Sequence, residues 1–476
     1  MLEKDLRTFL EELEAHDMLR VVQSPVDPAT EMGALFDQSD RPILFENVRG
    51  YEGWRVCGEL MTKRESQALA LGCDPRDVVR ELVRRYRKGL VPFEIVGDGP
   101  CKEVVWKGDD VDLLRLPVIK HSEKDGGRTI GAGMNYTRDR ETGIGNLAML
   151  RMEVQDRNHT GTLLVPRHTY RHFEQYEAAG EDMPMAVPIG HHPLIDVAVN
   201  WTVPYGVDEF ELAGALLESP IPMVRCETLD LVVPARAEIV IEGKLLAGVR
   251  RREGPFGEFQ CSYASGTGEN PVFEVSAVTM RRDAIYRHCQ ATNFVEHQSL
   301  NGLPMEAHLY ERLREVGGYA DVHDVHCAPC GGQFVILIQM TPHYEGEVKN
   351  ILMGALSSAY LHPKVAIAVD EDVDIHKPEE ILWAVGTRFN PATGVVLVEG
   401  TRNHPMDVSL PQISPPGARW QRVGGKIGID ACRPSTFRRE ERETLERTVP
   451  QGQGRVFLKE LEVTNRMSRR APAERV

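Results

Sequence analysis

The hydrophobic pattern changes its character twice along the chain, and this order of patterns constrains the fold more than any other sequence feature. Residues 1–110 combine a helical pattern with short strand patterns, as in a small α/β unit. Residues 111–320 consist mainly of short β-rich runs punctuated by glycine and proline, which predicts a barrel or a sandwich. Residues 321–476 alternate buried strands with helices, which predicts a parallel α/β layer. The chain is therefore predicted to be a multidomain α+β protein.

Individual elements can be placed in the first and last of these segments. Helical spacing of apolar residues predicts a helix over about residues 3–20, and an Asp-Pro pair predicts the start of another helix at residue 74. In the last segment, two strands (QFVILIQM and KVAIAVDEDVDI) and three helices are predicted, the helices at EGEVKNILMGALSSAY, PEEILWAVGTRF and RPSTFRREERETLERT.

The middle segment is predicted to consist mostly of strands. The runs LAMLRMEV (residues 147–154) and IDVAVNW (residues 195–201) are both interpreted as strands. Helices are expected only at stretches such as residues 170–179 and 209–217.

Composition excludes several classes of function. The chain has 56 Lys and Arg against 71 Asp and Glu, and the resulting charge of −15 is a poor match to DNA or another polyanion. No apolar run approaches the roughly 20 residues that cross a membrane. The N-terminal stretch has no signal-peptide core, and nine cysteines in a large chain indicate reduced thiols rather than a disulfide framework. We therefore expect a cytoplasmic protein that binds neither nucleic acid nor membrane.

Two carboxylates flank a Gly-Pro-Phe-Gly sequence: Glu253 and Glu258. Neither a helix nor a strand normally accommodates that sequence, so a tight loop is predicted. Such a loop can direct both carboxylates into one cleft, where they raise one another's pKa and one remains protonated as a general acid. The alternative is a charged turn in solvent, and residue types alone favour it because glutamate is usually exposed.

A second candidate segment runs from the glycines before Asn146 to Arg151. Glycine lets the backbone approach a ligand closely, and the amide oxygen of Asn146 suits a hard cation. If a strand starts at Leu147, then Leu147, Met149 and Arg151 share one face. A hairpin turn with a charged strand end explains the same residues without a function.

Two further segments have residue types that bind phosphate or metal. Arg167 and His168 combine a cation with an imidazole, although a histidine in a surface loop usually has neither role. Asp208 and Glu209 precede an apolar helix, where carboxylates can ligate a divalent metal. The helix dipole alone also favours acids at that position.

The segment from His323 to Cys330 contains a CxxC sequence with nearby histidines. This combination suggests zinc or redox chemistry, but no second pair lies at zinc-finger spacing. A structural loop is the favoured explanation.

Taken together, these segments resemble one family, the UbiD-type decarboxylases, which use prenylated FMN (prFMN). The matching segments are DGGRTIGAGMNYTRDRETGIGNLAMLRME, MPMAVPIGHHP, VPYGVDEFELAGALL, VRCETLDLVVPARAEIVIEG, REGPFGEFQCSY and AVDEDVDIHKPEEILWAVGTRFNP. They occur in family order, and the resemblance covers the chain from about residue 40 to 430.

The resemblance implies a fold and a domain division. A central split β-barrel at residues 111–320 would bind the flavin, between an N-terminal α/β domain at 1–110 and a C-terminal α/β layer at 321–476 with a terminal helix. The C-terminal domain would mediate assembly into a homodimer or a larger homo-oligomer.

The resemblance also implies roles for individual residues. The catalytic trio would be Arg151, Glu253 and Glu258, with Glu258 as the proton donor. A divalent metal, Mn2+ or Mg2+, would clamp the cofactor phosphate, with K+ or Na+ nearby, and its ligands would be Asn146, His168 and Glu209. The flavin would contact these ligands and five further residues, namely Ala148, Met149, Leu150, Arg151 and Arg167.

Other positions match the family less closely. His297 falls where family members vary the substrate pocket, and is predicted to influence specificity. Residues 199–201 (Val-Asn-Trp) replace small polar residues that family members often have. A family lysine near the cofactor phosphate has no secure counterpart, although Lys364 lies in the corresponding region.

The implied reaction is reversible, non-oxidative decarboxylation of an aromatic, heteroaromatic or α,β-unsaturated acid through a covalent adduct with prFMN. Loss of CO2 from an sp2 carbon leaves a carbanion without an electron sink, and acid–base groups alone supply only about 10²–10⁴-fold. An electrophilic cofactor provides that sink. A flavin prenyltransferase would supply the cofactor, and the small partners would be the acid and CO2.

Three alternatives remain at this stage. An FMN oxidoreductase on a split barrel would need a nicotinamide site, and the sequence has no G-x-G-x-x-G after a strand. A non-catalytic flavin-binding protein would have no need of the Arg-Glu-Glu trio. A zinc protein built on Cys327 and Cys330 is the third.

Overall fold

Four β-sheets organise the chain. The structure, a computed structural model, describes residues 4–291, 296–316, 318, 320–411, 422–457 and 461. Its sheets have four, nine, three and five strands. Residues 462–476, at the end of the third predicted domain, lie outside the described residues.

The N-terminal unit begins with helix α1 (Leu6–Ala15), which is shorter than predicted at both ends. Asp5 caps it by accepting a hydrogen bond from the Thr8 amide at 3.0 Å, and the apolar face is buried. The predicted end near residue 20 was wrong because Asp17 adopts a left-handed backbone (φ 56°) and a strand follows. The other elements are helices α2 (Met32–Asp37), α3 (Arg64–Leu71) and α4 (Val78–Arg87) and strands β1 (Arg20–Val22), β2 (Ile43–Phe45) and β3 (Arg55–Gly58).

The middle of the chain supplies thirteen strands. In chain order these are β4 (Glu94–Ile95), β5 (Val104–Lys107), β6 (Thr129–Ile130), β7 (Met134–Arg138), β8 (Gly145–Met149), β9 (Met152–Val154), β10 (His159–Thr162), β11 (Met183–Ile189), β12 (Pro222–Arg225), β13 (Val232–Pro234), β14 (Ile239–Glu253), β15 (Gly268–Met280) and β16 (Ile285–Arg287).

Nine of these strands form one large sheet in the order β6-β9-β10-β15-β14-β11-β7-β8, with β5 paired to β15. Strands β4, β12 and β13 form the three-stranded sheet. Strand β16 leaves this region and pairs in parallel with β3, so the four-stranded N-terminal sheet is completed by residues far along the chain.

The large sheet curls so that its two ends meet. Strand β8 is one end of the strand order and β9 is next to the other, yet only Leu150 and Arg151 separate them in sequence. Three residues span at most about 11 Å. LAMLRMEV is therefore two strands and not one, and the expectation that Arg151 continues the strand face of Leu147 was wrong. Arg151 lies instead at the seam between the ends of the curled sheet.

Three helices pack beside this sheet: α5 (His168–Ala178), α6 (Pro193–Val199) and α7 (Glu209–Leu217). Helix α7 coincides with the helix predicted at residues 209–217, and α5 overlaps the one predicted at 170–179 but begins two residues earlier and ends one residue earlier. The strand predicted at IDVAVNW was wrong, because most of that run lies in α6. Residues 193–198 are all buried, which hides helical periodicity, and the surviving signal is Pro193 at the first helical position after a His192 cap.

A long helix, α8 (Glu296–Val316), was also missed. It follows the central strands in a segment where only strands were expected. Polar residues such as Gln298 and Ser299 are buried in it along with its apolar ones, so its sequence shows no apolar stripe. Helix α8 leads from the central sheet to the C-terminal unit.

The C-terminal unit is an α/β layer, as predicted. Its strands are β17 (Asp321–Cys327), β18 (Val335–Thr341), β19 (Val365–Val369), β20 (Val395–Asn403) and β21 (Arg422–Ala431), and its helices are α9 (Glu347–Leu356), α10 (Pro378–Thr387) and α11 (Arg439–Thr444). The strand order is β17-β18-β19-β21-β20, with parallel pairing at β18-β19 and β19-β21 and antiparallel edges.

Two global expectations can be compared with this fold. All nine cysteines are free thiols, as predicted. No helix in the described part of the chain has the length and apolar character that crossing a membrane requires.

Candidate active site

The seam of the curled sheet holds a buried arginine between two carboxylates. Arg151 donates from Nε and Nη2 to the two oxygens of Glu253, at 2.7 and 2.8 Å, in a fork-like pair. Its third nitrogen, Nη1, donates to Glu258 and, at 2.7 Å, to the Ser265 hydroxyl. The Arg151 and Glu253 side chains are 7% and 1% exposed. The structure thus brings the three predicted catalytic residues into direct contact.

Glu253 owes its position to the end of strand β14. It is the last residue of that strand, and Asn270 on the neighbouring β15 donates to its Oε2 at 2.6 Å. A carboxylate that accepts from one guanidinium and one amide has its charge compensated although it is buried. Glu253 can therefore hold Arg151 in a fixed orientation.

Residues 254–257 form the predicted tight loop, with neither helix nor strand. Gly254 has φ +83°, and its amide donates to Glu153 at 2.7 Å. The Gly257 amide donates to Asp125 at 2.9 Å, and the Phe256 ring lies 5.2 Å from the Arg151 guanidinium carbon. These contacts fix the course of the loop, so that Glu258 at its end contacts the same arginine, Arg151, as Glu253 at its start.

Glu258 is buried, and its environment favours the protonated form. Burial is the main cause that raises the pKa of its carboxyl, and the charge of Glu253 adds to it. Arg151 and Ser265 oppose the shift without cancelling it. The pKa of Arg151 itself is above its ordinary value because Glu258 and Glu253 outweigh its own desolvation. One carboxyl of the trio is thus suited to carry a proton and the other a charge.

The predicted metal ligands lie where β8, α5 and α7 meet. Asn146 on β8 donates from Nδ2 to Thr169, the residue after His168, at 2.8 Å. The amide of Leu147, the residue after Asn146, donates to Glu209 at 2.7 Å. These bonds place Asn146 next to both other elements. No three His, Cys, Asp or Glu side chains within the described ranges form a metal-binding group, and the predicted set has two such residues plus an amide.

The chemistry of this set fits a cation. Glu209 is 4% exposed, and burial raises its pKa to about 8, while no ion pair to it occurs among the described residues. Burial and the charges of Arg167 and Arg171 lower the pKa of His168, so its imidazole is neutral and free to ligate. Tyr205 packs edge-on against His168, with 5.1 Å between ring centroids. A buried carboxylate without a positive partner is stabilised by a metal ion.

The predicted flavin surface leads from this set towards the seam. Ala148, Met149 and Leu150 are half-buried and follow the buried residues of β8. Arg167 caps the start of α5 and keeps exposed surface, yet burial lowers its pKa, as does Arg402.

His297 lies at the second residue of α8, on the far side of the loop that carries Glu258. Its ring is edge-on to Phe259, with 6.0 Å between centroids, and burial lowers its pKa to about 4. His297 therefore adjoins Phe259, the residue that follows Glu258 of the predicted catalytic trio.

Three family models match successive parts of the chain. They describe the N-terminal, Rift-related and C-terminal domains of UbiD, 3-octaprenyl-4-hydroxybenzoate carboxy-lyase, and match residues 10–86, 94–293 and 298–431. The chain belongs to the UbiD family. Since its relatives include a curated decarboxylase, it is a carboxy-lyase.

The UbiD relatives cover nearly the whole chain. Anhydromevalonate phosphate decarboxylase of Methanothermobacter thermautotrophicus is 31% identical over 435 residues, which are 90% of this chain and 97% of the relative. The UbiD-class enzyme HmfF from Pelotomaculum thermopropionicum, solved with FMN, is 35% identical with a TM-score of 0.87 over 96% of this chain and 99% of its own. An evolved dimeric form of HmfF in complex with prFMN is 34% identical with a TM-score of 0.85, over 96% and 100%.

A third structural relative has an aromatic substrate in its name. The 3,4-dihydroxybenzoic acid decarboxylase of Enterobacter cloacae is 29% identical, with a TM-score of 0.83 over 94% of this chain and 97% of its own. The family assignment thus agrees with both sequence and fold along the chain.

Several residues that shape this UbiD site were not found from the sequence. Ser265, Asn270, Glu153 and Asp125 bind the trio or its loop, although they lie 7 to 133 positions from Glu258 in sequence. Their residue types are ordinary in loops and strands. The loop motif pointed to Glu253 and Glu258, but no spacing rule pointed to the residues that support them.

The remaining candidates lie outside the trio. Lys364 pairs with Asp407 at 2.9 Å. Cys327 is a buried thiol on β17, whereas Cys330 is exposed in the following turn, and no metal-binding group includes them among the described residues. Trp201 stacks on Tyr86 at 5.0 Å.

Proposed function

We propose that this carboxy-lyase is a prFMN-dependent, non-oxidative decarboxylase of an aromatic, heteroaromatic or α,β-unsaturated acid, in which Glu258 donates the proton. The observation that carries this proposal is the buried Arg151 held between Glu253 and Glu258. The curled sheet would be the split barrel that holds the flavin.

Arg151 would position the substrate carboxylate. The protein has a net charge of −15, so an anionic substrate needs a local cation. Glu253 occupies Nε and Nη2 of Arg151, which leaves Nη1 as the nitrogen that faces Glu258. Exchange of the Glu258 contact for the substrate carboxylate would bind the acid and release the Glu258 carboxyl at the same time.

Glu258 would supply the proton that replaces CO2 on the substrate carbon. Its raised pKa keeps a fraction of the carboxyl protonated where an exposed glutamate is fully ionised. Microscopic reversibility makes the same carboxylate the base for carboxylation, so the proposed reaction runs in both directions.

The residues of the second site fit the cofactor and its metal. Asn146, His168 and Glu209 would hold Mn2+ or Mg2+ on the cofactor phosphate, with K+ or Na+ nearby. Arg167 and residues 148–151 would contact the flavin. When bound, prFMN would supply the electrophile that bonds to the substrate and accepts the electron pair left by CO2. HmfF, which binds prFMN in one structure and FMN in another, supports this assignment.

The substrate class rests on the relatives. Their names include 3,4-dihydroxybenzoic acid, an aromatic acid, and anhydromevalonate phosphate. An aromatic acid is our first choice because the relative named for one shares this fold over 94% of the chain. His297 would then influence which acid is accepted.

The first experiment is expression together with a flavin prenyltransferase, followed by native mass spectrometry and a screen of furoic, vanillic and cinnamic acids for CO2 release. We expect a bound mass equal to prFMN plus Mn2+ and turnover of at least one acid. The variant Glu258→Ala should retain the bound mass and lose turnover. Full turnover by Glu258→Ala would refute the proton-donor role.

Two outcomes would favour the alternatives. Plain FMN that is reduced by NADH under anaerobic conditions would favour an oxidoreductase, and bound flavin without any turnover would favour a non-catalytic binder. Mass photometry in the same preparation measures the oligomer, for which we propose a homodimer or a larger homo-oligomer. The dimeric form of HmfF supports this expectation.

A further inference from the structure

The turn that carries Glu258 is held from two directions. We call residues 258–262 the donor turn. The Cys261 amide donates to the Glu258 carbonyl at 2.8 Å, and the Glu258 amide donates to the Ser262 carbonyl at 2.9 Å. On one side of this turn, the Glu258 carboxylate contacts Arg151 of the central sheet. The opposite side contacts α8 and the C-terminal unit.

Two glutamine side chains tie the donor turn to that opposite side. Gln298 on α8 is buried, and its amide donates to the Phe259 carbonyl. Gln260, within the turn, donates from its own amide to the Met406 carbonyl at 3.0 Å, just beyond β20. The backbone and one side chain of the turn are therefore bonded to parts of the chain that lie outside the central sheet.

The third link is the ring of Phe259, which is 5% exposed. Four rings surround it, and we call them the ring socket; their centroid distances to Phe259 are 5.3 Å (His404), 5.6 Å (His362), 5.8 Å (Phe334) and 6.0 Å (His297). All four are tilted or edge-on, which is the arrangement that aromatic pairs favour. They come from α8 and from three separate loops of the C-terminal unit.

The imidazoles of the ring socket are neutral. Burial lowers the pKa of His404 to about 3 and that of His297 to about 4, and it holds the pKa of His362 well below its ordinary value. Arg167 lowers the first and third of these further. A neutral imidazole carries no charge that would be costly to bury, so the three imidazoles can pack closely around the phenyl ring of Phe259.

We propose that Phe259 is a positioning residue that fixes the donor turn to the C-terminal unit and thereby sets where the Glu258 carboxyl lies. This inference rests on the proposed role of Glu258. In that role the carboxyl must exchange its Arg151 contact for the reacting carbon, so the ion pair cannot hold it during proton transfer. A proton donor must approach its acceptor to about 2.6–3.2 Å, and a misplacement of about 1 Å costs roughly 10²-fold in rate. The ring socket supplies a constraint that persists when the ion pair opens.

The test compares Phe259→Leu with Phe173→Leu. Both variants replace a buried phenyl ring with a smaller apolar side chain, but Phe173 on α5 makes no ring contact with the donor turn among the described residues. Hydrogen exchange of the Glu258 and Cys261 amides needs no substrate. We expect about tenfold faster exchange at these two amides in Phe259→Leu and no change in Phe173→Leu. Unchanged exchange in Phe259→Leu, or equal changes in both variants, would overturn the proposal.

Activity gives a second readout with whichever acid of the panel is turned over. Phe259→Leu should lower kcat about 10²-fold while KM and the bound cofactor stay constant, and Phe259→Tyr should restore most of the rate because it keeps the ring. A change in KM alone would overturn the proposal. If Phe259→Leu does not fold, Phe334→Leu removes one ring of the ring socket and should accelerate exchange of the same two amides.

The two proposals fail in different ways. Full turnover by Glu258→Ala would refute the proton-donor role, whereas the amide exchange would still decide whether the ring socket holds the turn.

Discussion

Two sites along strand β8 handle buried charge in opposite ways. Beyond its C-terminal end, Arg151 is neutralised by Glu253 and Glu258, which contact it directly. At its middle residue, Leu147, the backbone amide donates to Glu209, but no described cation pairs with that carboxylate. At the first site the protein itself neutralises the buried charges. At the second, the ionised Glu209 carboxylate would need a cation from solution, such as the proposed metal ion.

The proposed chemistry and the proposed cofactor site therefore depend on the protein to different degrees. The self-compensated trio is held in place before any ligand binds, so the groups proposed to act on the substrate are preorganised. A site with one uncompensated carboxylate would instead gain stability on binding a metal and the cofactor phosphate. The first three predictions below change a charge at one of the two sites, and the fourth tests a residue outside both.

The largest effect is expected from Arg151→Ala at the self-compensated site. The change leaves two buried carboxylates without a cation, which should lower the unfolding free energy by about 3–5 kcal/mol. It also removes the proposed substrate anchor, which should lower kcat/KM about 10³-fold. Urea unfolding and turnover measure the two effects. The control is Arg251→Ala, which loses only a solvent-exposed pair with Asp156. Equal stability of the two variants would show that the trio is not self-compensated.

The next largest effect is expected from Glu209→Gln at the other site. Mn2+ should raise the melting temperature of the wild-type apoprotein, and the variant should lose at least about 100-fold in metal affinity. Glu211→Gln on the same helix is the matched control, because Glu211 is half-buried and forms no hydrogen bond with Asn146 or Leu147 within the described ranges. Metal binding that survives in Glu209→Gln would place the cation elsewhere.

A smaller effect is expected when pH changes the charge of the trio itself. Burial raises the pKa of Glu258, so its protonated form persists to higher pH than in an exposed glutamate. Because the donor must be protonated, kcat should fall by about tenfold per pH unit once pH exceeds that raised pKa. The same group loses stabilising protonation as pH rises, so its contribution to unfolding free energy decreases in the same direction. A kcat that rises along this limb would contradict the assignment.

The smallest effect is expected at Cys330, outside both sites. Its thiol is exposed in a turn, so Cys330→Ala should change the unfolding free energy by no more than about 0.5 kcal/mol. Bound Mn2+ and turnover should be unchanged, and metal analysis should find no zinc in either protein. If the wild type contains zinc and the variant does not, the hypothesis of a zinc site at the CxxC sequence would be supported.

The sequence predicted some elements well and others badly, and the difference follows from burial. Helix α7 and strand β18 have strong apolar patterns and clear ends, and both were predicted. Helix α6 was missed because residues 193–198 are all buried, so helical and strand patterns look alike there, and α8 because polar residues are buried in it beside the apolar ones. The single strand expected across Arg151 failed because strand propensity does not reveal where a sheet closes.

The three-part order of patterns, the acidic character, and the loop that joins Glu253 to Glu258 can all be predicted from the sequence. These features are local, since periodicity, charge and turn chemistry depend on neighbouring residues. The position of Arg151 at a seam, and that of Phe259 among four rings of α8 and the C-terminal unit, became visible only in the folded chain. Both depend on contacts between residues about 40 to 145 positions apart, and the rings and carboxylates involved carry no local signal of their partners.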